Sequence, residues 1–160
     1  MKKLASLLWL GMLCSTAAFA ASEQEPITVH MDAYQIISTK DAEKRIVAKK
    51  VKPGDVLEYV ATYHNTTKHS IAHIKATLPI PQGTVFVANS ARPRHATASL
   101  DGKVFQVMPL KHRVKQKDGS WKEELVPLDA YRFLRWDLKV LDKGSEQKVS
   151  ARVRLIPLNR

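Results

Sequence analysis

The chain has 160 residues, with 26 lysines and arginines against 15 aspartates and glutamates, for a formal net charge of +11. That length suits one domain with a core large enough to fold unaided. The single cysteine, Cys14, falls in an N-terminal apolar stretch, so residues 21–160 hold no thiol for a disulfide, a nucleophile or a metal centre.

Lys2 and Lys3, the apolar run 4–13 and the triplet Ala18-Phe19-Ala20 have the form of a secretory signal with cleavage after Ala20. The run is too short to span a bilayer. Leu13 before Cys14 departs from a lipid-attachment motif, which wants a small residue there. The expected organisation is a signal peptide over 1–20, a leader and first strand over 21–44, and a β-sandwich over 45–160 that includes the first strand. The style of the signal predicts a bacterial protein of the periplasm or a secreted one. Cleavage leaves 24 basic against 15 acidic side chains, net +9. Outside the cytoplasm that charge points to anionic lipid or glycan, or to an envelope protein, and away from nucleic acid.

After a polar leader, the β-branched and aromatic run 27–38 predicts a first strand and 45–52 a second. Pro53-Gly54-Asp55 marks a turn. Leu57, Tyr59, Ala61 and Tyr63 then alternate with Glu58, Val60, Thr62 and His64, the period of a half-buried strand. Asn65-Thr66-Thr67-Lys68 reads as a short turn into a second alternating run, Ile74, Ala76, Leu78 and Ile80. Pro79 and Pro81 place that strand at an edge or at its end. A short strand is expected at 84–87, followed by a basic loop. Asp101-Gly102 and Asp118-Gly119 predict two tight hairpins. In the strand 131–138, Leu134, Trp136 and Leu138 form the core face, with Tyr131, Phe133 and Arg135 opposite. Lys143-Gly144 turns the chain into a last strand carrying Val149, Ala151, Val153 and Leu155. Beyond residue 21 no helical period is sustained, and the fold class is an all-β, immunoglobulin-like antiparallel sandwich in a single domain.

The ordered set Pro53-Gly54-Asp55, Asn65-Thr66, Ile80-Pro81-Gln82-Gly83-Thr84 with Phe86 and Ser90, then Trp136, Leu141 and Gly144, resembles domain of unknown function family 11, the conserved repeat domain of prokaryotic envelope proteins. The resemblance runs from about residue 45 to 155. It implies an immunoglobulin-like sandwich and an exported location, and it carries no catalytic residues. Residues 92–128 depart from the family pattern by an additional basic hairpin.

No nucleophile-elbow pattern surrounds Ser70, Ser90, Ser99 or Ser120. Glu123 and Glu124, adjacent on a strand, point to opposite faces. A non-enzymatic role without a cofactor is therefore expected. His64 and His69 flank the Asn65–Lys68 turn. Across a hairpin they would stand close enough to offer two imidazoles to copper, nickel or zinc, the alternative reading of a metal-handling protein. The candidate partner-binding residues are basic. Arg92 and Arg94, with His95, lie in one loop. Lys111, Arg113, Lys115, Lys117 and Lys122, with His112, lie on the Asp118-Gly119 hairpin. Arg152, Arg154 and Arg160 form a third group, and Trp121 and Tyr131 would add amphipathic contacts. Edge-strand addition is the natural mode for a protein partner.

Overall fold

The computed structural model describes residues 25–40 and 42–157. The predicted signal peptide and Arg160 lie outside the described residues. Eleven strands follow one another in the described chain. They are β1 (Ile27–Ser38), β2 (Glu43–Val47), β3 (Val56–Asn65), β4 (Ile71–Pro79), β5 (Thr84–Phe86), β6 (Thr97–Ser99), β7 (Gln106–Val107), β8 (Lys111–Lys115), β9 (Trp121–Leu125), β10 (Phe133–Leu141) and β11 (Glu146–Leu155). A single 3-10 turn, Leu128–Ala130, precedes β10.

The strands form an antiparallel sandwich. One sheet has the order β2-β1-β3-β11-β5, the other β4-β10-β6-β7, while β8 and β9 pair only with each other. β1 runs along β3 from Ile27↔Asn65 to Ile36↔Val56, so the N-terminal strand belongs to the same domain. The two-residue period decides which side chains meet between the sheets. Ala61 and Tyr63 of β3 and Val149, Ala151 and Val153 of β11 face Ala76 and Leu78 of β4 and Leu134, Trp136 and Leu138 of β10, all buried. Each large aliphatic or aromatic side chain so covered contributes roughly 1.5–3 kcal/mol. The larger sheet is wider than its partner, and Val29 and Met31 of β1 stay 53 % and 44 % exposed.

Polar groups inside the sandwich are paired, as burial demands. The Tyr63 hydroxyl bridges the sheets, donating to the Thr77 carbonyl at 3.2 Å and accepting from the Thr77 amide at 3.0 Å. Burial pushes its pKa up, and the bond to Thr77 partly opposes that. Trp136 Nε1 donates to the Pro93 carbonyl at 2.8 Å. Asn65, completely buried, joins two turns. Its Nδ2 donates to the carbonyls of His69 (2.7 Å) and Leu141 (2.9 Å), and its Oδ1 accepts from the Thr67 amide at 2.9 Å. Its backbone exchanges bonds with Gly144 and Ser145. The Asn-Thr pair and the Lys143-Gly144 turn, far apart in sequence, are thus one structural corner.

Pro53-Gly54-Asp55 has an equally local reason. Gly54 takes φ +95°, which a residue with a Cβ resists. The Asp55 carboxylate accepts from the Lys52 amide at 3.0 Å and from Gln35 Nε2 at 2.9 Å. The turn is held to the end of β11 by Gly54 N–H to Leu155 and Leu155 N–H to Asp55.

Three expectations are corrected. β3 and β4 do not form a hairpin; they lie in opposite sheets, and residues 66–70 carry the chain from one to the other. Asp101-Gly102 does not make a tight two-residue turn, because β6 pairs with β7 as Thr97↔Val107 and Ala98↔Gln106, leaving a seven-residue loop. The Asp101 carboxylate there accepts from the Lys103 and Val104 amides, and those bonds hold it below the usual carboxylate range. The second predicted strand ends at Val47, short of Lys52.

Candidate functional site

The Asp118-Gly119 hairpin forms as expected, with the geometry of a three-residue loop. Gly119 N–H closes on the Gln116 carbonyl at 3.0 Å and Gln116 N–H on the Ser120 carbonyl at 2.8 Å. Gly119 takes φ +85°, the left-handed position that follows a type I turn in such loops. Asp118 accepts from both the hydroxyl and the amide of Ser120, at 2.7 and 2.9 Å, which holds its carboxyl below the usual range.

The β8–β9 ribbon stands apart from both sheets. Its register, Lys111↔Leu125, Arg113↔Glu123 and Lys115↔Trp121, puts those six side chains on one face. All six are exposed. Trp121 is 57 % exposed and Leu125 62 %. The Arg113 guanidinium lies 5.4 Å from the Trp121 ring centroid. Lys111 pairs with Glu123 at 3.2 Å. On the opposite face Lys122 pairs with Glu124 at 3.6 Å, so Lys122 does not join the cationic row. Lys115 and Lys117 make no ion pair among the described residues. The exposed face is therefore cationic and aromatic, with one acid.

A two-stranded ribbon is marginal on its own. This one is fixed at its base. Leu110 and Val126 are buried, and Val126 N–H donates to the Leu110 carbonyl at 2.9 Å. The Leu110 amide in turn donates to the Tyr131 hydroxyl at 2.7 Å. Tyr131 was expected on an exposed face beside the basic patch. It is 1 % exposed and its ring lies parallel to that of Phe86, with centroids 6.1 Å apart. The 3-10 turn ahead of β10 breaks the strand period and rotates Tyr131 inward. Its role is to anchor the ribbon, not to extend its surface.

The other basic groups divide. Arg92 turns its guanidinium back onto the Asn89 and Ala91 carbonyls, both at 2.8 Å, and so braces its own loop. Arg152 pairs with Glu43 at 2.8 Å, and Arg154 lies 3.5 Å from the Gly54 carbonyl. Those two do not form an open cationic patch. Arg94 and His95 are exposed, and Arg94 makes no ion pair or side-chain hydrogen bond among the described residues.

Arg94 and His95 stand at the mouth of a groove the sequence did not reveal, an open cleft of about 780 Å³. It follows the seam where edge strands β5 and β7 leave the sheets unjoined. Phe86, Ala91, Ala96 and Tyr131 are its buried floor, and Val107, Met108 and Pro109 one wall. Residues 86–96 supply most of its lining, and residues 107–109, Leu128 and Tyr131 complete it.

The histidine pair does not survive as a hairpin pair. His64 is in β3, between Thr28 of β1 and Glu146 of β11, while His69 is in the connection that leaves that sheet. The cross-strand geometry that would juxtapose two imidazoles is not formed. Among the described residues no group of three His, Cys, Asp or Glu side chains is placed to hold a metal. Nor is any helix there long and apolar enough to cross a membrane.

No family model matches the chain, and neither curated proteins nor solved structures show significant similarity to it.

Proposed function

We propose that the chain is an exported, non-catalytic binding module of the bacterial envelope, an immunoglobulin-like domain that holds an anionic lipid or glycan surface through the β8–β9 ribbon. The observation that carries this reading is the exposed ribbon face, where Lys111, Arg113 and Lys115 stand opposite Leu125, Glu123 and Trp121 in turn, three cations against one acid, on a base anchored by Tyr131. Cations near an anionic surface contribute about 1 kcal/mol each, and an aromatic ring beside them suits the boundary between water and apolar matter. The net charge of +9 that would remain after cleavage adds attraction at longer range. The signal-like N-terminus and the resemblance to the envelope repeat domain support the location.

Capture of a protein by strand addition has less support. β5 and β7 are three and two residues long. β4, the longest open edge, is interrupted by His73 at φ +60° and carries Lys75 and Pro79, devices that discourage pairing. The metal-handling alternative lacks the hairpin it needs.

Co-sedimentation with vesicles of anionic or neutral lipid, and with acidic polysaccharide, tests the proposal. Binding should be selective for the anionic forms and weaken as salt rises. Trp121→Ala should weaken it severalfold, and the double change Arg113→Glu with Lys115→Glu at least about tenfold. Equal binding to neutral vesicles, or indifference to the double change, would overturn it.

A further inference from the structure

The groove between β5 and β7 combines four features that concern a ligand other than a charged surface. Its floor is apolar and buried, with Phe86 3 % and Tyr131 1 % exposed. Its volume of about 780 Å³ falls within the roughly 300–1,000 Å³ of small-molecule sites. Among the described residues no aspartate or glutamate lines it, while Arg94 and His95 both stand at its mouth. Asn89 and His95, two of the three non-glycine residues with positive φ among the described residues, sit on the same rim at φ +61° and +72°. Asn and His adopt such backbone more readily than other side chains, and here it shapes the rim.

We infer that this groove binds a single-chain anionic amphiphile, one unbranched acyl chain ending in a carboxylate. The chain would lie along the floor and the carboxylate would meet Arg94. The chemistry of the walls selects this occupant over an extended peptide. A peptide brings an amide and a carbonyl per residue that need partners once covered, and the adjoining edge strands, three and two residues long, offer few. An acyl chain makes no such demand. A neutral or cationic head group would leave Arg94 uncompensated or opposed.

The test is calorimetric titration of the purified protein with decanoate, dodecanoate and dodecylammonium, each below its micelle concentration. Dodecanoate should bind saturably at one site, about tenfold more tightly than decanoate for two further methylenes. Dodecylammonium should bind at least about tenfold more weakly than dodecanoate. Ala88 is an exposed rim residue, so Ala88→Trp blocks the mouth without touching the core and should abolish binding with the far-ultraviolet circular dichroism unchanged. Arg94→Gln should weaken dodecanoate about fivefold while preserving the chain-length step. Trp121→Ala should leave dodecanoate binding intact, which separates this site from the ribbon. Absence of saturable dodecanoate binding, equal binding of the ammonium, or indifference to Ala88→Trp would overturn the assignment. Loss of binding on Trp121→Ala would overturn it as well, by moving the amphiphile to the ribbon.

Discussion

β10 and the β8–β9 ribbon are built from the same alternating pattern and meet opposite fates. Leu134, Trp136 and Leu138 of β10 find a second sheet facing them and are buried. Trp121 and Leu125, on one face of β9 with Glu123 between them, meet solvent. The period tells which side chains share a face. Whether that face is covered depends on what the rest of the chain brings opposite. Between the two stands Tyr131, a core residue by burial whose hydroxyl holds the first amide of the ribbon's base. The body is thus stabilised by covered area and paired buried groups. The ribbon is stabilised by its turn, its ladder and one anchor, which leaves its face open for contact.

This contrast can be broken most severely at Asn65. Asn65→Ala leaves the Thr67 amide and the Leu141 carbonyl without their buried partner, and should cost about 3 kcal/mol of global stability, read from urea denaturation. An unchanged midpoint would mean that the two turns are held by their backbone bonds alone. Tyr131→Phe keeps the ring and removes the acceptor for the Leu110 amide. It should cost about 1–2 kcal/mol and raise amide exchange across residues 111–125 well before the body exchanges. Uniform acceleration throughout the molecule would show that ribbon and sandwich open as one unit. The smallest effect is acid loosening of the ribbon turn. The Asp118 carboxyl is depressed by its bonds to Ser120, so its contribution is complete above the unfolded value of about 3.9. It is lost as pH falls through the lower folded value. Exchange at Ser120 should therefore rise only in that acidic window, and an Asp118→Asn variant should show no such step.

Much of the body was legible because one face of each long strand is apolar. The bounds 27–38 of β1, the core faces of β3, β4, β10 and β11, and the Asp118-Gly119 turn follow from alternation and turn chemistry. Strand partners beyond the local pairs β6–β7 and β8–β9 were not legible. A four-residue polar link such as Asn65–Lys68 suits a hairpin or a crossing between sheets equally well, and only the long-range bonds of Asn65 to Leu141 decide for the crossing. The same error produced the histidine pair. Tyr131 was misplaced because a 3-10 turn resets the period just before β10. Asp101-Gly102 was misread because an aspartate that accepts from its own following amides can cap a long loop as well as start a tight turn. The groove was invisible for a different reason. It is a gap between edges, formed only when residues 107–109 and Tyr131 are brought against residues 86–96.

The position of β11 has a consequence for the order of assembly. This strand lies between β3 and β5, pairing Tyr59 with Ala151 and Phe86 with Val153. Without residues 146–155, β2-β1-β3 and β5 have no ladder connecting them, because β11 alone pairs with the edges of both β3 and β5. Such distant pairing makes folding slow compared with local hairpins. A chain delivered from its N-terminus therefore presents β1 to β10 before the larger sheet can close. β11 is thus the keystone of the larger sheet, the strand that joins β3 to β5.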